Sequence, residues 1–214
     1  MNLKTFKTRE ELGLAAGTAG IEAIKTAIAE NGEVNIILAT GQSQFETLAT
    51  LVAATDIDWG KVRMFHLDEY IGIPVTHKAS FRKYLTERFL NLVAPLKEVV
   101  LINGEGDPQA ECERLDKKIG AHPIDVAFVG IGENGHLAFN DPPADFDASG
   151  AYLVVNLDTQ CRQQQLGEDG LHRLTKFLLR LSVCLFDRLC YPEKLYVQYQ
   201  INEKQRRCGT ASPG

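Results

Sequence analysis

A glycine-rich stretch in the second half of the chain carries side chains suited to acid–base chemistry. Residues 129–143 read Val-Gly-Ile-Gly-Glu-Asn-Gly-His-Leu-Ala-Phe-Asn-Asp-Pro-Pro. The glycines predict a backbone that turns sharply and lets a ligand come close. His136, Asn140 and Asp141 add an imidazole, an amide and a carboxylate. A tight turn with a surface histidine is the alternative, and a dinucleotide-binding fingerprint fits less well because His and Pro-Pro follow the glycines.

Two adjacent carboxylates, Asp68 and Glu69, follow the apolar run at residues 62–67. The length and apolar character of that run predict a buried strand. A carboxylate at a strand end can serve as a general base in proton transfer. The alternatives are a helix N-cap or a solvated acidic pair.

A small polar turn, Thr40-Gly41-Gln42-Ser43, lies between the apolar run at 34–39 and a helix predicted to start at Phe45. A strand, a turn and a helix in that order present backbone N–H groups to an anion. No lysine follows the glycine, so this is not the phosphate loop of nucleotide hydrolases. An ordinary connection between strand and helix needs no ligand, and both interpretations stay open.

The elements that must position these side chains alternate between strand and helix. Thr8-Arg9-Glu10-Glu11 predicts a capping box opening a helix that runs to about Glu30, where Asn31-Gly32 ends it. Further helices are predicted from 45, over 80–92 and over 109–119, and strands over 34–39, 62–67, 99–102, 124–128 and 152–157. This alternation predicts an α/β fold, a three-layer Rossmann-like parallel sheet with helices on both faces. The carboxyl ends of such strands are where open sheets bind ligands.

Composition limits the class of protein. The chain has 214 residues, 44% hydrophobic and 24% charged, which fits one globular domain. A net charge of -5 argues against nucleic acid as a partner. We found no apolar run near membrane-spanning length and no signal-peptide core at the N-terminus, so we expect no membrane partner. Five cysteines without paired spacing predict reduced thiols and a cytoplasmic location.

Taken together, the motifs at 40–43, 66–70 and 130–142 resemble the glucosamine-6-phosphate deaminase family, which is itself similar to the 6-phosphogluconolactonases. The resemblance covers about residues 1–168. It implies isomerisation and deamination of glucosamine 6-phosphate to fructose 6-phosphate and ammonia, a step of amino-sugar catabolism. It implies a small sugar phosphate as partner, no cofactor and no metal, and it is compatible with a homo-oligomer.

The resemblance also implies roles for individual residues. Asp68 matches the base that moves a proton between C2 and C1, and His136 matches the residue that assists ring opening. Asp141 stands where a glutamate usually tunes that histidine, so its reach is shorter by one methylene, and Asn134 stands where some members have aspartate. The implied substrate- and phosphate-binding residues are Thr40, Gly41, Gln42, Ser43, Glu69, Gly135 and Arg162.

Elementary chemistry agrees with these roles. A C2 proton beside a carbonyl or iminium needs a positioned carboxylate, and a ring oxygen needs an acid that works near neutral pH. A 6-phosphogluconolactonase-like hydrolase is the nearest alternative. Asp68 favours the deaminase, because lactone hydrolysis does not require proton shuttling at C2.

The resemblance ends after Gln163-Gln164-Gln165-Leu166-Gly167-Glu168. Relatives are expected to continue with Gly-Trp-Phe, whereas this chain reads Asp169-Gly170-Leu171. Those three residues can be encoded GAT GGT TTx, and the frame beginning at the third base reads TGG TTT, or Trp-Phe. Residues 179–190 similarly permit Gln-Ala-Ile-Ser-Met-Ser, the segment expected next.

We infer one lost base near codon 169, with a divergent C-terminus as the alternative. The chain then divides into an incomplete sugar-phosphate isomerase/deaminase domain, 1–168, and an aberrant tail, 169–214. We expect the last strands to be missing or disordered, and local helix within 171–189, which is rich in helix formers. A non-catalytic truncated product is therefore a further interpretation of this chain.

Overall fold

The computed structural model describes residues 3–131, 138, 150–156, 177–181 and 195–198, the last two ranges as backbone only. The strands are β1 Val34–Leu38, β2 Val62–His66, β3 Asp68–Tyr70, β4 Glu98–Val100, β5 Val126–Gly130, β6 Tyr152–Asn156, β7 Phe177–Leu181 and β8 Leu195–Gln198. The α-helices are α1 Arg9–Asn31, α2 Phe45–Val52, α3 Phe81–Leu85 and α4 Pro108–Ala121. Short 3₁₀ turns occupy Gln42–Gln44 and Trp59–Lys61, and a π-helical turn, Thr86–Leu90, extends α3.

The two ends of α1 follow local chemistry that the sequence predicted. The Thr8 hydroxyl accepts a hydrogen bond from Glu11 N at 3.1 Å, and Gly32 ends α1 in the left-handed region, with φ of 78°. Ser80 caps α3 by accepting from Lys83 N at 3.3 Å. Asp107 caps α4 in the same way. The helix predicted over 80–92 is thus divided between α3 and the π-helical turn.

The main sheet has five parallel strands in the order β4-β2-β1-β5-β8. Alternate side chains of its strands enter two separate cores. Ile36 and Met64 pack under α1 and α2, whereas Ile37 and Phe65 pack under α4 with Leu115. The predicted three-layer arrangement, with helices on both faces of a parallel sheet, is confirmed.

The strand order places a topological switch point beside β1. From β1 the chain passes to β2 and β4 on one side, and then returns to β5 on the other side. Leu38 pairs with His66 of β2 and with Phe128 of β5. The turns that follow these three strands therefore begin at the same level, at the edge where doubly wound sheets bind ligands.

A second, antiparallel sheet in the order β3-β7-β6 was not predicted. The expectation that the last strands would be missing is wrong for residues 177–181 and 195–198, and so is helix at 177–181. β7 lies between β3 and β6, and β8 pairs with β5 at the edge of the main sheet. An open edge offers unpaired N–H and C=O groups to any segment able to extend, and both segments are rich in apolar and aromatic residues.

Helix α1 requires a correction to the sequence statement about membrane-spanning length. By length and composition alone it is long and apolar enough to cross a bilayer, with a mean hydropathy of 1.2 over its best window. Gly13, Gly17 and Gly20 are nevertheless buried. A Cβ at Gly20 would lie 2.3 Å from the Phe128 ring, so the helix packs directly against the sheet. In this fold the buried face of α1, which includes Ala23, Ile24 and Ala27, packs into the core on one side of the sheet.

Candidate active site

The turn after β1 leaves backbone donors available. Gln44 N donates to Gly41 O at 3.1 Å, and Phe45 N donates to Gln42 O. Within the part of the chain that the structure describes, no hydrogen bond uses the N–H groups of Gly41, Gln42 or Ser43. Gly41 has φ of 105° and ψ of 169°, a region open essentially to glycine alone. The turn can therefore offer three amide donors to an anion at the start of α2.

Two side chains from distant parts of the chain contact the carbonyls of this turn. The Tyr84 hydroxyl donates to Gly41 O at 2.9 Å, and Arg9 Nη2 donates to Gln42 O at 2.9 Å. The sequence did not single out either residue. The contacts span 43 and 33 positions of chain, so no local pattern signals them.

Asp68 lies at the level of this turn. Leu67 N donates to Leu38 O at 3.2 Å, which continues the pairing of β1 and β2 by one residue, and Asp68 comes next. Thr40 follows Leu38 by two residues, and Asp68 follows His66 by two residues. Thr40 and Asp68 therefore lie just past the same end of the neighbouring strands β1 and β2. Asp68 is 5% exposed. A carboxylate withdrawn from water, at the level of a set of amide donors, is suited to act as a general base near a bound anion.

Glu69 takes a different role from the one predicted. Its carboxylate accepts from the Ser80 hydroxyl at 2.9 Å, from Arg82 N at 2.8 Å and from Phe81 N at 3.1 Å. It also accepts from Tyr70 N at 2.9 Å and from Arg82 Nε at 3.2 Å. With five donors and no exposed surface, the carboxylate has no acceptor position left for a substrate. Glu69 instead holds the first turn of α3 against β3. This role is close to that of a helix N-cap, which was one of the alternatives for the acidic pair.

His66 cannot supply the acid that ring opening needs. Burial lowers the pKa of His66 to about 3, and the charge of Arg82 acts in the same direction. The imidazole is therefore neutral near pH 7. Its Nδ1 faces Ile102 N at 3.5 Å, and among the described residues its Nε2 has no hydrogen-bond partner. The Tyr152 hydroxyl donates to the His66 carbonyl at 2.8 Å and links β6 to the end of β2.

The remaining predicted site residues, Asn134, Gly135, His136, Asp141 and Arg162, lie outside the described residues. The start of their loop is described. Ala39 N donates to Phe128 O at 2.9 Å, so Gly130 lies beside Thr40 at the switch point. The structure thus brings together the turn at 40–43, Asp68 and the entry to the loop after β5.

The part of the chain that contains this turn, Asp68 and the start of the loop after β5 also matches known proteins in sequence. The family described as glucosamine-6-phosphate isomerases/6-phosphogluconolactonase matches residues 7–160. A curated glucosamine-6-phosphate deaminase of Listeria monocytogenes serotype 4a (strain HCC23) is 39% identical over 149 residues, which are 69% of this chain and 62% of that protein. One of Streptococcus equi subsp. zooepidemicus is 34% identical over 145 residues, 67% of this chain and 60% of that protein. The chain therefore spans less than two thirds of the length of these relatives.

Solved structures extend the similarity further along the chain. A monomeric glucosamine-6-phosphate deaminase superposes with a TM-score of 0.74 at 26% identity, covering 86% of this chain and 76% of the other. A 6-phosphogluconolactonase from Shewanella baltica OS155 superposes with a TM-score of 0.72 at 15% identity, covering 96% of this chain and 82% of the other. The second similarity shows the fold alone.

Proposed function

This chain belongs to the family of glucosamine-6-phosphate isomerases and 6-phosphogluconolactonases, and we propose that its site converts glucosamine 6-phosphate to fructose 6-phosphate and ammonia in the cytoplasm. The observation that carries the proposal is the position of Asp68, a buried carboxylate at the level of the open amides of residues 40–43. A phosphate held by the turn would place the rest of an open-chain sugar along the ends of the strands.

The chemistry assigned to Asp68 is a proton transfer. In the open-chain aldehyde form, the carboxylate takes the C2 proton, the electron pair forms a C1–C2 double bond, and the C1 oxygen takes up a proton that the ammonium group at C2 gives up. Return of the proton at C1 leaves an iminium at C2. Water adds to that carbon and ammonia leaves, so the ketone fructose 6-phosphate is formed. A positioned acid or base of this kind contributes about 10²–10⁴-fold to a rate.

The other roles rest on the resemblance of the motifs and remain part of the proposal. His136 would protonate the ring oxygen during ring opening, with Asp141 and Asn134 beside it. Gly135 and Arg162 would contact the substrate or its phosphate. Neutral His66 does not compete for the acid role, because burial holds its pKa at about 3.

A lactonase is the alternative reaction for this fold. Both reactions need a phosphate site, so the turn at 40–43 does not distinguish them. Asp68 distinguishes them, because hydrolysis of a lactone does not require a base that moves a proton at C2. The curated relatives described above are named as deaminases. Their sequence identity to this chain, 39% and 34%, is higher than the 15% of the lactonase structure.

We also propose that residues 169–214 are read out of frame. The family match ends at residue 160, before the tail begins. Sequencing the coding DNA around codon 169 tests this directly. A lost base relative to close homologous genes supports the proposal, and an intact frame overturns it.

A coupled assay for fructose 6-phosphate tests the function. It compares the chain as it stands with a version whose reading frame is restored by one base near codon 169. We expect the restored chain to form fructose 6-phosphate and ammonia in equal amounts, and the present chain to turn over far less. Hydrolysis of 6-phosphogluconolactone without deamination would establish the lactonase instead. Equal turnover by both chains would overturn the tail proposal.

A further inference from the structure

Two of the carbonyls in the turn at 40–43, those of Gly41 and Gln42, each accept two hydrogen bonds. Gly41 O accepts from Gln44 N at 3.1 Å and from the Tyr84 hydroxyl at 2.9 Å. Gln42 O accepts from Phe45 N and from Arg9 Nη2 at 2.9 Å. A carbonyl has two lone pairs, so each is fully used. In both cases one donor belongs to the turn and the other comes from a distant element.

This arrangement matters for an anion. A turn of this kind can rotate a peptide unit, and the rotation would exchange an N–H facing the ligand for a carbonyl oxygen. The oxygen would repel a phosphate that the N–H attracts. Donors bound to the two carbonyls oppose that rotation, because it would break their hydrogen bonds.

Tyr84 is itself held in place. Its ring stacks on Phe45 with centroids 5.8 Å apart, and the Arg88 guanidinium lies 3.9 Å from the centre of the Phe45 ring. Burial raises the pKa of Tyr84, so the hydroxyl stays protonated and can donate. Arg9 is anchored by an ion pair with Glu46 at 3.1 Å. Ring packing therefore holds Tyr84, and an ion pair at the surface directs Arg9 toward the turn.

We propose that Tyr84 and Arg9 are positioning residues that keep the amide groups of Gln42 and Ser43, which share peptide units with the Gly41 and Gln42 carbonyls, directed at the substrate phosphate. This inference rests on the proposed function, because it takes the turn to be the phosphate site. It adds two residues, from α1 and α3, that do not touch the substrate.

The test follows the backbone amides of the full chain by heteronuclear NMR during titration with inorganic phosphate. We expect phosphate to shift the amides of Gly41, Gln42 and Ser43. Tyr84→Phe should weaken phosphate binding about 3- to 10-fold, or about 0.7–1.4 kcal/mol at 1.4 kcal/mol per tenfold. Tyr152→Phe is the matched control, since it also removes a hydroxyl that donates to a carbonyl, at 2.8 Å, but outside the turn.

Arg9 is tested in the same titration. Arg9→Gln should weaken phosphate binding, and Arg9→Lys, which keeps a charged donor, should recover part of the loss. Arg114→Gln is the matched control, because Arg114 also donates to a carbonyl at 2.9 Å and pairs with a glutamate. It lies on α4 and should leave phosphate affinity unchanged. Melting temperatures of all variants separate a loss of folding from a loss of affinity.

Two negative outcomes are distinguishable. If the original chain shows no phosphate shift at residues 41–43, the assignment of the turn as phosphate site fails, and this inference fails with it. If the original chain binds phosphate there and Tyr84→Phe binds equally well, the inference alone is overturned and the proposed function stands.

Discussion

The adjacent carboxylates at 68 and 69 show how the environment of a residue decides its role. Both are buried, and both follow the same strand. Glu69 accepts five hydrogen bonds from α3 and its own strand, so it stabilises the fold around the site. The sequence could identify the pair as unusual. It could not divide the roles, because four of the five donors to Glu69 lie 11 to 13 positions away along the chain.

The role of Glu69 predicts a large effect on stability. Glu69→Gln removes the charge that pairs with buried Arg82, which leaves exposed Glu105 as its acidic partner among the described residues. Breaking one side of a buried ion pair costs about 3–5 kcal/mol. Urea unfolding should show a loss of that order, whereas Glu87→Gln, at an exposed pair, should stay within about 0.5 kcal/mol of the original chain. Equal stability of the two variants would contradict the buried role.

His66 predicts a pH dependence of stability. Its pKa is about 3 in the folded chain and near the ordinary 6.5 when unfolded, so the unfolded state binds more protons between those values. The free energy of unfolding must then fall as the pH falls through that window, by up to about 1.4 kcal/mol per pH unit from this group. His66→Asn should show a shallower slope in urea unfolding between pH 6.5 and pH 4.5. Identical slopes would contradict a buried neutral imidazole.

At the scale of elements, the sequence predicted those that depend on local signals. The Thr8 cap, the Gly32 stop and strands β1, β2, β4 and β5 of the main sheet came from capping residues and apolar runs. The π-helical turn and the sheet containing β3 were missed, because they depend on contacts between distant segments. The contacts of Arg9 and Tyr84 with the turn were missed for the same reason.

The turn after β1 predicts a specific need for glycine. Gly41→Ala would place a Cβ on a backbone with φ of 105°, a strain of about 1–3 kcal/mol that should change the turn and weaken phosphate binding. Gly32→Ala is the matched control, because Gly32 also has positive φ and, like Gly41, open space around the missing Cβ. It should lower the melting temperature without changing phosphate affinity. Equal phosphate affinities in the two variants would contradict the assignment of the turn.

At the scale of the whole molecule, similarity to known proteins in sequence and similarity to them in structure cover different lengths of this chain. The family match ends at residue 160, whereas the superposition on a deaminase covers 86% of the chain. Beyond the end of the family match, β7 and β8 extend the two sheets. Sheet edges accept strands through backbone groups, so strand pairing there does not require a sequence selected for this fold. The proposal that residues 169–214 are read out of frame concerns the side chains and not the backbone. The pattern of side chains decides whether a segment specifies one packed structure.

The tail proposal predicts the order of proteolysis. If residues 169–214 are read out of frame, their apolar pattern does not match the shape of the core, and the segment should open more often than the rest. Limited trypsin digestion followed by mass spectrometry should therefore cut within 169–214 first and leave a fragment close to residues 1–168. The frame-restored chain should resist over the same region. A tail as resistant as the core would favour a divergent C-terminus.

The most direct measurement is turnover of glucosamine 6-phosphate by Asp68→Asn in the frame-restored chain. The substitution keeps the size of the side chain and removes the base, so formation of fructose 6-phosphate should fall about 10²–10⁴-fold with little change in substrate affinity. Asp58→Asn, at an exposed aspartate paired with Lys61, should keep full activity. Near-normal deamination by Asp68→Asn would contradict the assignment of Asp68 as the base.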